Sequence, residues 1–147
     1  MTAPFRFTLR VYWEDTDAAG IVFYANYLKF MERARTEWLR SLGISQHALR
    51  EETGGQFVVS ETTLKYHRPA RLDDELLVTA EARHMGSASL IIGQRVLSKS
   101  EQGLLLCEGT IRIGWVDAAT LRPARIPVHV SGTLEHSIGS IEEPSKP

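Results

Sequence analysis

The sequence predicts an α+β domain of two layers, a mostly antiparallel sheet wrapped around one long helix. Three observations carry this. An alternating apolar segment comes first, at 5–13. One long amphipathic helix follows, at 25–42. Four segments rich in Val, Ile, Thr and aromatics then succeed one another, the last of them at hairpin spacing.

The first segment, "FRFTLRVYW", places Phe5, Phe7, Leu9, Val11 and Trp13 on one side of a strand with one buried face. "EDTDAAG" then reads as a loop from its Asp, Thr and Gly content. Over 25–42, Tyr27, Phe30, Met31, Ala34, Trp38 and Leu42 share one helical arc, widened by Leu28 and Leu39. Lys29, Glu32, Arg33, Thr36 and Arg40 lie opposite. Arg35 falls inside the apolar arc and is expected to snorkel or to pair with a carboxylate. Gly43 stops this helix, and Ser45 caps a shorter one, "QHALREET". Strands follow at 56–68, 75–85, 89–98 and 104–116, with "KSEQG" as a hairpin turn. In the last strand Cys107, Gly109, Ile111, Ile113 and Trp115 share a face, so Cys107 reads as a small buried hydrophobe. Phe57, Tyr66 and Trp115 read as core. A single domain is expected over 1–131, and 132–147 reads as a flexible C-terminal tail.

Composition excludes several classes of function. The chain has 147 residues and a net charge of -1, so no overall field draws it to nucleic acid or an anionic membrane. Its one cysteine allows no internal disulfide and favours a reducing, cytoplasmic setting. No signal peptide or membrane span is visible. His47, His67, His84, His129 and His136 form no i, i+4 pair, so no metal site is expected. There is no G-x-S-x-G elbow and no phosphate-binding glycine loop.

One stretch remains, "YWEDTDAAGIVFYANYL", Tyr12 to Leu28. Acids, a glycine, an apolar segment and a helix start follow one another. A helix N-terminus offers free N–H groups that hold an oxyanion, and a nearby carboxylate can attack or act as base. Gly20 would let the backbone approach a ligand closely. This layout suits acyl transfer to water without a cofactor. The bland alternative is that Asp15 and Asp17 only make turns, and spacing alone does not displace it.

"EDTDAAGIVFYANYLKFMERARTEWL" resembles the signature of the hotdog-fold acyl-CoA thioesterases of the 4-hydroxybenzoyl-CoA thioesterase type. Within them it is most similar to the YbgC (Tol-Pal-associated) group. "YHRPARLDDEL" and "SLIIGQRV" fit the same group, and the likeness covers roughly 5–117. The resemblance implies a hotdog fold, a curved antiparallel β-sheet around a long central α-helix. It implies a homodimer or homotetramer with the active site at the subunit interface. It implies hydrolysis of acyl-CoA, with coenzyme A as part of the substrate and no cofactor.

Residue by residue, Asp17 matches the catalytic carboxylate, and the segment from Gly20 to Tyr24 matches the helix start. The backbone amide of Tyr24 is the expected oxyanion donor, with Asp15 as the alternative structural acid. Asn26 and Ser60 are expected to position water or substrate. Phe23 and Tyr27 are candidates for an acyl pocket, although Tyr27 fits the core better. The YbgC group usually carries His where this chain has Tyr24, so no histidine acid is carried over. The basic cluster expected for CoA phosphates is missing from "HMGSASL", where only His84 could contribute. Lys65, Arg68 and Arg71 are the candidates in its place. Glu32 and Glu37 fall on or near the polar side of the helix and read as solvated. Two other classes compete with hydrolysis: a non-hydrolytic acyl-CoA-binding or interaction module on the same scaffold, and a dehydratase.

Overall fold

The computed structural model describes residues 4–99 and 103–141. Five strands and three helices run in the order β1 (Phe5–Arg10), α1 (Asn26–Ser41), α2 (Gln46–Thr53), β2 (Gly55–Tyr66), β3 (Glu75–Met85), β4 (Ser89–Ser98), β5 (Leu104–Asp117) and α3 (Val128–Ile141). The strands form one sheet in the order β1-β3-β4-β5-β2. Every pairing is antiparallel. The sequence therefore places its helix and strands to within a few residues. The turn expected at "KSEQG" falls largely on residues 100–102, outside the described residues. Gly103 beside it has φ +83, the left-handed region that glycine enters without strain.

Helix α1 lies on the sheet because its apolar arc is continuous. Phe30, Met31 and Ala34 are fully buried, and Tyr27, Trp38 and Leu39 nearly so. Each large side chain so buried contributes roughly 1.5–3 kcal/mol. The opposing face is Leu76, Val78, Ala80 and Ala82 of β3 and Leu90, Ile92 and Val96 of β4, joined by Cys107, Ile111 and Ile113 of β5. Gln94 of β4 interrupts this apolar surface. Its Nε2 donates to the carbonyls of Met31 (3.0 Å) and Thr79 (3.1 Å), and its Oε1 accepts from Arg35 Nη1 at 3.0 Å. Arg35 thus meets an amide rather than a carboxylate. Bulges at Val59/Glu61, Ala82/His84 and Val96/Leu97 bend the strands.

Three expectations need correction. Strand β1 ends at Arg10, and a 3-10 turn at Trp13–Asp15 turns Trp13 out of the apolar face, leaving it 81% exposed. Leu28 is also exposed rather than buried. The tail expected from 132 is instead part of α3 through Ile141, with Val130 and Leu134 buried in the same core as α1. Residues 142–147 lie outside the described residues.

Candidate active site

The acidic loop is tied to the start of α1 by hydrogen bonds that radiate from Asp15. Asp15 is 4% exposed, and its Oδ2 accepts from the Tyr12 N–H at 2.8 Å. Its carbonyl accepts from the Phe23 N–H at 3.1 Å and from Asn26 Nδ2 at 2.8 Å. Asn26 therefore holds the loop against the helix. Beyond Asp15 the chain doubles back, with Thr16 bridging Val22 and Asp17 N–H donating to the Ile21 carbonyl at 2.9 Å. Gly20 closes the turn with φ +81. A Cβ there would meet nothing within 4 Å, so the turn's conformation, rather than a crowded approach, calls for glycine.

Asp17 stands at the exposed tip of this hairpin. Its Oδ1 accepts from the Ala19 N–H at 2.9 Å and, more weakly, from the Ile21 N–H at 3.4 Å. Among the described residues Oδ2 has no hydrogen-bond partner. A carboxylate with one oxygen anchored and one open is oriented without being used up.

At the helix start, the Phe23 and Asn26 N–H groups are engaged, the latter by the Phe23 carbonyl at 2.8 Å. The Tyr24 N–H has no acceptor among the described residues. It precedes Ala25, the N-cap of α1, and so lies close to where the partial positive charge of the helix is concentrated. The Tyr24 carbonyl accepts from Tyr66 Oη at 3.3 Å. The two rings meet edge to face at 6.2 Å, and Tyr66 also meets Tyr27 at 5.6 Å. Tyr66, expected in the core, instead stands half exposed over the helix start.

A groove of about 230 Å³ opens here, walled by Val22, Tyr24, Tyr27, Tyr66, His67, Arg68 and Pro69. Tyr27 is both core and wall. It is 3% exposed, and its hydroxyl accepts the Ala70 N–H at 3.1 Å. Burial pushes its phenol pKa up, partly offset by that hydrogen bond. The wall segment is anchored from behind, where the His67 and Arg68 N–H groups share the Leu106 carbonyl at 2.8 and 3.1 Å. His67 Nε2 lies 3.0 Å from Glu108 Oε2.

The other expected residues scatter. Phe23 is partly exposed and touches the Tyr24 ring at 4.8 Å, outside the groove's lining. Ser60 donates to the Arg112 carbonyl at 3.2 Å, at the β2 bulge. Lys65 lines a different groove, with Arg83 and Arg95. Arg71 bridges Ile21, and its N–H donates to Asp74 Oδ2 at 2.9 Å. Glu37 pairs with Arg40 at 2.7 Å, and Glu32 accepts from Thr36 at 2.9 Å. Sequence reasoning missed the pairing of His67 with Glu108. Its only trace is "YHR" at the end of β2 and "CEG" within β5, which antiparallel register brings side by side.

Comparison with known proteins agrees with this architecture. Residues 11–134 match the family model of the thioesterase-like superfamily. An acyl-CoA thioesterase YbgC of Haemophilus influenzae is 39% identical over 132 residues, 90% of this chain and 95% of that protein. An acyl-CoA thioester hydrolase YbgC of Escherichia coli O6:H1 is 43% identical over 126 residues, 86% of this chain and 92% of that protein. The crystal structure of a probable thioesterase from Bartonella henselae superposes with a TM-score of 0.77 at 30% identity, covering 85% of this chain and all (100%) of the other.

Proposed function

The chain belongs to the thioesterase-like superfamily and is an acyl-CoA thioester hydrolase, and we propose that Asp17 and the Tyr24 backbone amide carry its chemistry. The observation behind this is the free Tyr24 N–H just before the N-cap of α1, beside a hairpin that presents an open Asp17 oxygen. The thioester carbonyl sits on the Tyr24 amide, and that hydrogen bond strengthens as charge builds on the oxygen. Losing such a donor typically costs ~10²–10³ in turnover. Asp17 Oδ2 attacks the acyl carbon, and the C–S bond breaks as CoA departs as a thiolate. Water then hydrolyses the resulting mixed anhydride. No cofactor enters this route.

Two subunits form the working unit in this reading. Strand β2 is 12 residues long and lies at the sheet's edge, with Val59 on it 51% exposed. A long exposed edge invites pairing with a second copy. Tyr12, Trp13, Phe23 and Tyr24 add exposed aromatic surface near the helix start, of the kind that a partner covers. The lone cysteine supports a cytoplasmic setting.

The test is thiol release from a panel of acyl-CoAs by wild type and Asp17→Asn. Turnover falls by orders of magnitude in the variant. Wild-type rates from Asp17→Asn would remove the assignment, and CoA esters that stabilise the wild type without being cleaved would favour a binding module.

A further inference from the structure

We propose that His67, oriented by Glu108, is a further catalytic residue: the base that takes a proton from the water that frees the acyl group. The pair has the form of a base and its orienter. An ionised carboxylate only accepts hydrogen bonds, so the Nε2 facing Glu108 Oε2 at 3.0 Å carries the ring proton. In the neutral ring Nδ1 then holds a lone pair, and among the described residues it has no hydrogen-bond partner. A histidine fixed at one nitrogen and open at the other is the arrangement that proton transfer requires.

Its position fits the task. His67 walls the same groove as Tyr24 and Val22. Val22 is the return arm of the hairpin that bears Asp17, through its bridge to Thr16. The groove thus brings a basic nitrogen at the end of β2 to the contiguous stretch that carries the proposed oxyanion donor and the nucleophile's hairpin. The side chains of His67 and Glu108 are 34% and 39% exposed, so the pair is open to substrate and water. Its backbone is held firmly by the bond from the His67 N–H to the Leu106 carbonyl at 2.8 Å.

The step rests on the assignment of Asp17 and the Tyr24 amide above. Water adds to the acyl carbon of the Asp17 anhydride while its proton passes to His67 Nδ1. The C–O bond to Asp17 breaks, and the electron pair returns to the Asp17 carboxylate. The imidazolium then gives its proton to the CoA thiolate, leaving free acid, thiol and the starting enzyme.

The experiment compares steady-state hydrolysis of one good acyl-CoA substrate by wild type, His67→Ala, Glu108→Gln and Asp17→Asn, with thermal melting to verify folding. Positioned proton transfer is worth roughly 10²–10⁴-fold, so kcat of His67→Ala falls by that order while KM changes little. Glu108→Gln falls less, and added imidazole restores part of the His67→Ala rate. A His67→Ala enzyme with near-wild-type kcat, a loss confined to KM, or a loss that imidazole does not relieve would overturn the proposal. Loss in Asp17→Asn with none in His67→Ala rejects His67 and leaves Asp17. Loss in His67→Ala with none in Asp17→Asn rejects Asp17 and leaves His67 acting on water at the thioester itself.

Discussion

Asp17 uses its two carboxylate oxygens differently, and this decides how its substitution reads out. Oδ1 holds the hairpin through the Ala19 amide, while Oδ2 is open. Asparagine at 17 keeps an oxygen for the loop and removes the proposed nucleophile, so Asp17→Asn should melt near the wild-type temperature while losing turnover. Asp17→Ala would confuse the two effects by freeing the Ala19 amide. Cys107 makes a second prediction. Burial pushes its thiol up to about 12 from an ordinary 9.0, with the neighbouring Glu108 adding to the shift. The folded protein therefore keeps this proton where the unfolded chain releases it. Stability is full below about pH 9 and declines as pH rises towards 12, because the unfolded state then binds fewer protons than the native one. Urea midpoints should fall across that alkaline range, and less so in Cys107→Ala measured against its own neutral value. The buried thiol should also resist alkylation at neutral pH until the protein unfolds.

The elements that were legible from sequence are those with a clean period. Helix α1 declares itself through six arc positions and a glycine stop, and β3 and β4 through apolar faces bounded by turns. The failures have local causes. Trp13 continues the alternation of β1 on paper, but Asp15 folds back onto the Tyr12 amide and ends the period. Tyr66 reads as core because no basic stripe accompanies it, yet the end of β2 overhangs the helix start and leaves it half exposed. Helix α3 was unreadable because Gly132, Ser131 and Thr133 give it poor intrinsic propensity. Its apolar positions, Val130, Leu134 and Ile138, form only a narrow i, i+4 stripe. Burial rather than propensity makes this helix. Leu134→Ala should therefore cost ~2–5 kcal/mol in urea unfolding, as a fully buried leucine does, whereas a residue in a loose tail would cost nothing. The candidate site was legible where it is contiguous, from Asp15 to Asn26. Its far wall was not, because His67 and Glu108 are 41 residues apart and only strand register joins them.

At the scale of the molecule, the proposed pairing of two copies through the edge of β2 can be tested directly. Val59→Lys places a charge on the exposed edge and should shift sedimentation towards monomer. If the site is completed by the second subunit, turnover falls with protein concentration in that variant more steeply than in wild type. An unchanged sedimentation profile would move the interface elsewhere. The placement of α3 bears on biosynthesis. A ribosome makes the chain in order, so all five strands emerge before the helix that covers part of β3. Until residues 130–134 follow, the nascent sheet exposes apolar side chains that the finished protein hides. That interval would make the growing chain a natural client for holding chaperones, and a weakened α3 would lower cellular yield more than it lowers the activity of molecules already folded.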